Sequence, residues 1–206
     1  MELKRYIKNK LSKLSMEKTS TTTIPLHHPG LLEMASYLIQ GFIVSVAISV
    51  FLETLAKDYV AVAIPGLFGY IILVSFFAPL IEEFTKVFPL LYRHAETEKS
   101  IIKLGFLSGL GFGFAEFALY TIYFNAPIVI RLPEMFFHAA NTSIVAYGVT
   151  RQQFSKYYLV AVLFHFANNF LTFFGDIWYI GGFGVIALTF YLAWKFYGKS
   201  SDSYLK

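Results

Sequence analysis

Two adjacent carboxylates, Glu82 and Glu83, close an apolar run in the stretch Ala78-Pro79-Leu80-Ile81-Glu82-Glu83-Phe84-Thr85-Lys86. Residues 59–81 hold no charge, and residues 87–92 are apolar again. A charged side chain at membrane depth costs roughly 2.5–3.5 kcal/mol on insertion scales, so such a group marks a site by default. On a helix Lys86 shares a face with Glu82, four residues earlier, and an ion pair is expected there. Glu83 points about 100° away.

Three further polar groups interrupt apolar segments. Glu116 has no charged neighbour within ten residues on either side. His138, Asn141 and Thr142 fall at i, i+3, i+4 and form one polar stripe; His165, Asn168 and Asn169 repeat the pattern. Buried polar groups need partners. The expected arrangement gathers Glu82/Glu83/Lys86, Glu116, His138/Asn141 and His165/Asn169 around one hydrated cavity. Carboxylates there supply general bases, imidazoles supply proton donors or metal ligands, and an amide donates hydrogen bonds. That set suits activation of water and stabilisation of an oxyanion, so peptide hydrolysis inside the membrane is the natural reaction class. No Ser or Cys pairs with a His as nucleophile. Asp58, Asp176 and Asp202 lie outside the spans, so no aspartate pair is expected.

The elements that must carry these residues are membrane helices. The 206 residues are 56% hydrophobic with mean hydropathy +0.58. Soluble domains are nearer 45–50% apolar. The pattern predicts an all-α polytopic membrane helix bundle of about six transmembrane helices. They are expected near residues 34–56, 59–92, 104–124, 133–150, 157–174 and 177–197. Lys57 and Asp58 are expected to make a short turn, with Glu33 and Glu53 at the interfaces. A hairpin in 59–92 would raise the count to seven. The prolines at 65, 79 and 89 predict kinks or a break there. Gly105, Gly109 and Gly113 recur every fourth residue, a face that admits close helix approach. Counting 1.5 Å per residue from these span ends puts Glu116 mid-membrane but His138 only about 8 Å from the outer side. A helix beginning near Asn125 would bring His138 inward.

Residues 1–30 read as a basic amphipathic segment and loop, 31–199 as one transmembrane catalytic domain, and 200–206 as a polar tail. His27 and His28 are neighbours on a loop, a poor metal site. The first 30 residues hold no apolar core of signal-peptide type, so no cleavage is expected. The net charge of +4 is spread over loops, away from the aromatics, which argues against nucleic acid as a partner. The chain has no cysteine, which excludes disulfides and thiolate metal sites. Fourteen of the seventeen basic residues fall before residue 19, in 93–103, in 151–156 and from Lys195 onward. The positive-inside rule then places both termini in the cytoplasm of a multi-pass cell-membrane protein.

These motifs resemble the PrsW family of intramembrane proteases. Pro79-x-x-Glu82-Glu83-x-x-Lys86 looks like that family's EExxK motif. Gly109-Leu-Gly-Phe112-Gly-Phe-Ala-Glu116-Phe-Ala-Leu-Tyr120 is similar to its GxGFxxxE…Y helix. Arg131 followed by His138, and His165-x-x-x-Asn169, are similar to its two histidine-bearing helices. Phe117 stands where the family commonly has Asn. The related CAAX endopeptidases carry EExxxR and FxxxH, which fit less well. The resemblance implies a peptidase acting on membrane-anchored protein substrates within the lipid bilayer. It implies Glu82 or Glu83 as the base activating water, and His138 and His165 orienting the water or binding a metal. Asn169 would help hold the oxyanion and Lys86 would balance charge. Phe112, Arg131 and Asn141 would support the site or bind substrate. The cofactor stays open: a divalent ion such as zinc could use Glu116, His138 and His165, although HExxH is absent. A non-catalytic scaffold of the same fold, or a proton- or cation-coupled transporter, are the alternative readings.

Overall fold

A computed structural model describes residues 27–92, 96–175 and 177–202, with the side chains of 177–179 outside the description. The basic amphipathic segment before residue 27, residues 93–95 with His94, and the tail after 202 lie outside the described residues. The described chain is an all-helical bundle: α1 (Leu31–Ala63), α2 (Leu67–Tyr92), α3 (Glu98–Tyr123), α4 (Ile128–Thr150), α5 (Phe154–Phe174) and α6 (Ile177–Lys199). Five helices are long and apolar enough to cross a membrane, those of α1, α2, α3, α5 and the part of α6 from Ile180. The other, α4, has 23 residues but is less apolar. Its stretch from Phe137 to Gly148 is buried at every position. It sits at the bundle centre and meets protein on all sides, so it can carry polar and small residues. The outer helices instead expose large apolar side chains, among them Ile43, Phe51, Leu163 and Trp194. Such a belt faces lipid.

Several helix ends differ from expectation. Lys57 and Asp58 do not make a turn; α1 runs through them to Ala63. The chain reverses only at Pro65-Gly66, where Gly66 takes φ +86°, a conformation that favours glycine. Residues 59–92 therefore do not form a two-span hairpin. The first five belong to α1, and the rest make one crossing. Helix α3 starts at Glu98, six residues before the expected 104, because Thr97 caps it: Ser100 N donates to Thr97 Oγ1 at 3.1 Å. Helix α4 starts at Ile128 after Pro127, and Pro133 lies inside it. A proline there removes one backbone donor, which the early turns of a helix tolerate best.

Helix α2 is irregular where its prolines sit. A wide π turn spans Leu73–Phe77 ahead of Pro79, and the last turn around Pro89 is tightened into a 3₁₀ helix. Pro89 cannot donate to the Thr85 carbonyl, and Ser45 Oγ of α1 does so instead at 2.9 Å. Ser108 Oγ of α3 donates to the Lys86 carbonyl at 2.6 Å, and Tyr158 Oη of α5 to the Leu80 carbonyl at 2.6 Å. Side chains of three neighbouring helices thus satisfy backbone that lipid could not.

The glycine face of α3 packs on α4. A Cβ at Gly109 would fall on the His138 carbonyl and 2.7 Å from Thr142 Oγ1; Gly105 and Gly113 meet α4 in the same way. Gly111, on another face, lies against the Leu38 carbonyl of α1. At the end of the bundle shared by His27 and Ser201, Arg151 grips Glu98 through two nitrogens, at 3.0 and 3.1 Å. Ser201 N donates to the same carboxylate at 2.8 Å.

Gly109→Leu is expected to separate α3 from α4 at the level of His138. Overpacking typically costs about 1–3 kcal/mol. A thermal melt in detergent should show a clear loss, against little change for Gly184→Leu, where an added Cβ meets open space.

Candidate active site

Four helices deliver the polar residues to one place. The ammonium of Lys86, fully buried on α2, is 2.6 Å from Glu83 Oε1 and 3.7 Å from Glu82 Oε2. The expected Glu82 pairing is thus the looser of the two, and Lys86 serves both carboxylates. Its third partner is His138 Nδ1 on α4, at 3.0 Å. The Phe112 ring of α3 lies 4.5 Å below it, within cation–π range. An ammonium can only donate, so His138 Nδ1 accepts and the ring proton sits on Nε2. That nitrogen meets Glu116 Oε2 at 2.7 Å.

The second histidine is set by Glu83. His165 Nδ1 on α5 donates to Glu83 Oε1 at 2.8 Å. Its Nε2 lone pair is left facing Glu82 Oε2 at 3.7 Å. Glu83 itself is fully buried and does not reach the cavity, whereas Glu82 lines it. The two adjacent carboxylates therefore do different things. Glu83 orients a histidine and neutralises a lysine; Glu82 is presented to solvent space.

The cavity holds about 570 Å³. Glu82, Glu116, His138, His165, Asn168 and Asn169 are among its lining residues. Its other walls come from the last turns of α1, α3 and α5 and the first turns of α2 and α4. It therefore lies toward the bundle end that carries residues 64–66 and 124–127, away from the Arg151–Glu98 cluster. The earlier start of α4 removes the depth mismatch of His138, which meets Glu116 directly. Described α6 residues contribute nothing to the lining.

Among the supporting residues, Asn169 Nδ2 donates to the Val74 carbonyl inside the π turn of α2 at 3.0 Å and still faces the cavity. Arg131 lines the wall with its guanidinium 3.8 Å over the Tyr120 ring. Phe112 acts from beneath Lys86 and His138 rather than in the cavity. Asn141 also stays out of it: its amide donates to the Ala161 carbonyl at 2.9 Å and fastens α4 to α5.

Two lining carboxylates escaped the sequence. Glu53, expected at an interface, lies on the cavity wall because α1 continues past it. Glu134, expected at the very start of the fourth span, is buried on α4, with Asn168 Nδ2 donating to its two oxygens at 2.9 and 3.1 Å. The signal was periodicity. Val50, Glu53, Thr54 and Lys57 fall at i, i+3, i+4, i+7 and all line the cavity, as do Arg131, Glu134 and His138 on α4.

The donor set fits a metal ion. Ligand atoms of Glu82, His138 and His165 all lie within 4.8 Å of one another. Glu82 Oε2 is buried without a hydrogen-bond partner among the described residues. Ligands about 2.1 Å from a tetrahedral zinc stand about 3.4 Å apart, so the 3.7 Å between Glu82 and His165 needs little adjustment. His165 has its second nitrogen tied to a carboxylate, the usual outer partner of a ligating histidine. His138 must release Glu116 or Lys86 to join. Glu116 is not in this group; it stands behind His138. A second set, His27, Glu33 and Glu96, is close enough as well, at the other end of the bundle.

No curated protein and no solved structure matches the chain. The PrsW-protease family, described as PrsW family intramembrane metalloprotease, matches residues 30–195, a stretch that takes in all six helices but the tip of α6. With its carboxylates and histidines gathered in an intramembrane cavity, the chain belongs to the PrsW family of intramembrane proteases.

Proposed function

We propose that this multi-pass membrane protease hydrolyses peptide bonds of membrane-anchored proteins at the floor of the cavity, with Glu82, His138 and His165 holding a divalent ion. The observation that carries this reading is the orphaned Glu82 Oε2, with His165 Nε2 at 3.7 Å and His138 Nδ1 at 4.0 Å. The ion, when bound, would acidify a water molecule and polarise the substrate carbonyl.

The chain's own residues do the rest. Glu83 keeps the His165 proton on Nδ1, so Nε2 stays a lone-pair donor. Lys86 offsets the charge of Glu82 and Glu83. Glu116 is the cavity-facing carboxylate left to accept a proton from water and pass it to the departing amine. Asn169 uses one amide hydrogen on Val74 and offers the other to the substrate carbonyl. Residues 31–199 act as one catalytic unit.

The test is cleavage of single-span substrates in liposomes. Glu82→Gln should lower kcat by about a hundredfold or more. Glu83→Gln should also lower it, by loosening His165. A chelator should stop the wild type, and added zinc should restore it. Metal content gives a readout apart from activity: about one ion per wild-type chain is expected, and none in His165→Ala. Full activity after chelation with no bound metal would rule out the ion and leave Glu82 as the base.

The same reading places both termini in the cytoplasm and the cavity toward the outer face. The absence of cysteine makes this simple to check. In sealed cells an impermeant maleimide should label Ala126→Cys and leave Ser201→Cys untouched. The reverse pattern would invert the topology.

A further inference from the structure

The cavity wall carries two carboxylates that the proposed chemistry does not use, Glu53 and Glu134. Glu53 is half-buried on α1 and lines the same space as Glu82 and Glu116. Among the described residues it has no hydrogen bond and no ion pair. The other acids of the cavity are provided for. Lys86 answers Glu82, His138 answers Glu116, and Asn168 answers Glu134. Lys57, one turn further along α1, lines the mouth and makes no ion pair within 4.0 Å with Glu53. A carboxylate at membrane depth without a cation is costly.

Its surroundings suit a long cationic side chain. Tyr70 and Phe173 line the same cavity and meet edge to face with ring centroids 5.9 Å apart. Val50, Leu73 and Val74 add apolar wall. A lysine or arginine lays its methylene stem on apolar surface and its head against a carboxylate or an aromatic face. An acidic substrate side chain would find Glu53, Glu82, Glu116 and Glu134 around it, opposed within the cavity by Arg131 and Lys57.

We propose that Glu53 is a specificity-determining residue, selecting substrates that carry a lysine or arginine near the scissile bond. This rests on the protease reading and adds the substrate class to it. Glu53 touches the substrate's side chain, not the reacting atoms.

The test is a series of single-span substrates in liposomes. One residue at a time, on either side of the cleavage point, is set to Lys, Arg, Gln or Glu. At one position Lys or Arg should raise kcat/KM at least about tenfold over Gln, the scale of a hydrogen-bonded charge pair. Glu53→Gln should erase that preference, bringing the Lys, Arg and Gln substrates to the same kcat/KM. Glu53→Lys should turn the preference toward Glu, a gain of function that misfolding cannot imitate. Equal cleavage of Lys, Gln and Glu substrates at every position would overturn the proposal and leave the protease reading intact. An equal loss on all substrates in Glu53→Gln would overturn it too, by making Glu53 part of the catalytic machinery. A folded, metal-loaded wild type that cleaves none of the series would remove the protease reading, and this proposal with it.

Discussion

The site depends on one buried ammonium. Lys86 has no exposure to solvent, and stripping such an ion of water costs several kcal/mol that only close partners can return. Glu83 at 2.6 Å, His138 at 3.0 Å and the Phe112 ring at 4.5 Å supply them. Each partner comes from a different place: Glu83 from α2 itself, Phe112 from α3, His138 from α4. Through Glu83 the chain of contacts reaches His165 on α5. Lys86 thereby sets the tautomer of His138, its partner Glu83 sets that of His165, and the pair ties four helices together. Glu82, 3.7 Å from the same ammonium, faces the cavity with Oε2 in no hydrogen bond among the described residues.

Backbone irregularity serves the same end. Pro89 leaves the Thr85 carbonyl without its helical donor, and in lipid it must find another. Ser45 supplies it, while Ser108, Tyr158 and Asn169 donate to three further carbonyls of α2, the four donors coming from three other helices. The bonds that repair the helix also fix its position beside α1, α3 and α5. The glycine face of α3 then lets α4 come close enough for His138 to reach both Lys86 and Glu116. Site geometry and bundle packing are in this sense one problem.

Much of this was legible in the sequence because membranes make polar residues conspicuous. Glu82, Glu83, Lys86, Glu116, His138 and His165 stand out against apolar flanks, and they do assemble. The all-helical bundle and its number of helices followed from the same contrast. What was hidden lay near the span ends. Lys57 and Asp58 look like a turn because charges mark interfaces. Lys57 instead lines the cavity on the same face as Glu53, and α1 runs on past it to Ala63. Pro133 looks like a helix start, yet α4 begins five residues earlier, which moves Glu134 from the helix end into its interior. The different duties of Glu82 and Glu83 were out of reach too, since they depend on which partner helix each side chain meets.

A double-mutant cycle on Lys86 and Glu83 tests the central claim most directly. Thermal stability would be measured for Lys86→Met, Glu83→Gln and the pair together. Removing one partner of a buried pair strands the other, at about 3–5 kcal/mol. If Lys86 organises the site, each single change should be severe and the double change much milder than their sum, with peptidase activity absent in all three. Losses that simply add would mean that the two groups act independently, and that the site is held by something other than this buried charge.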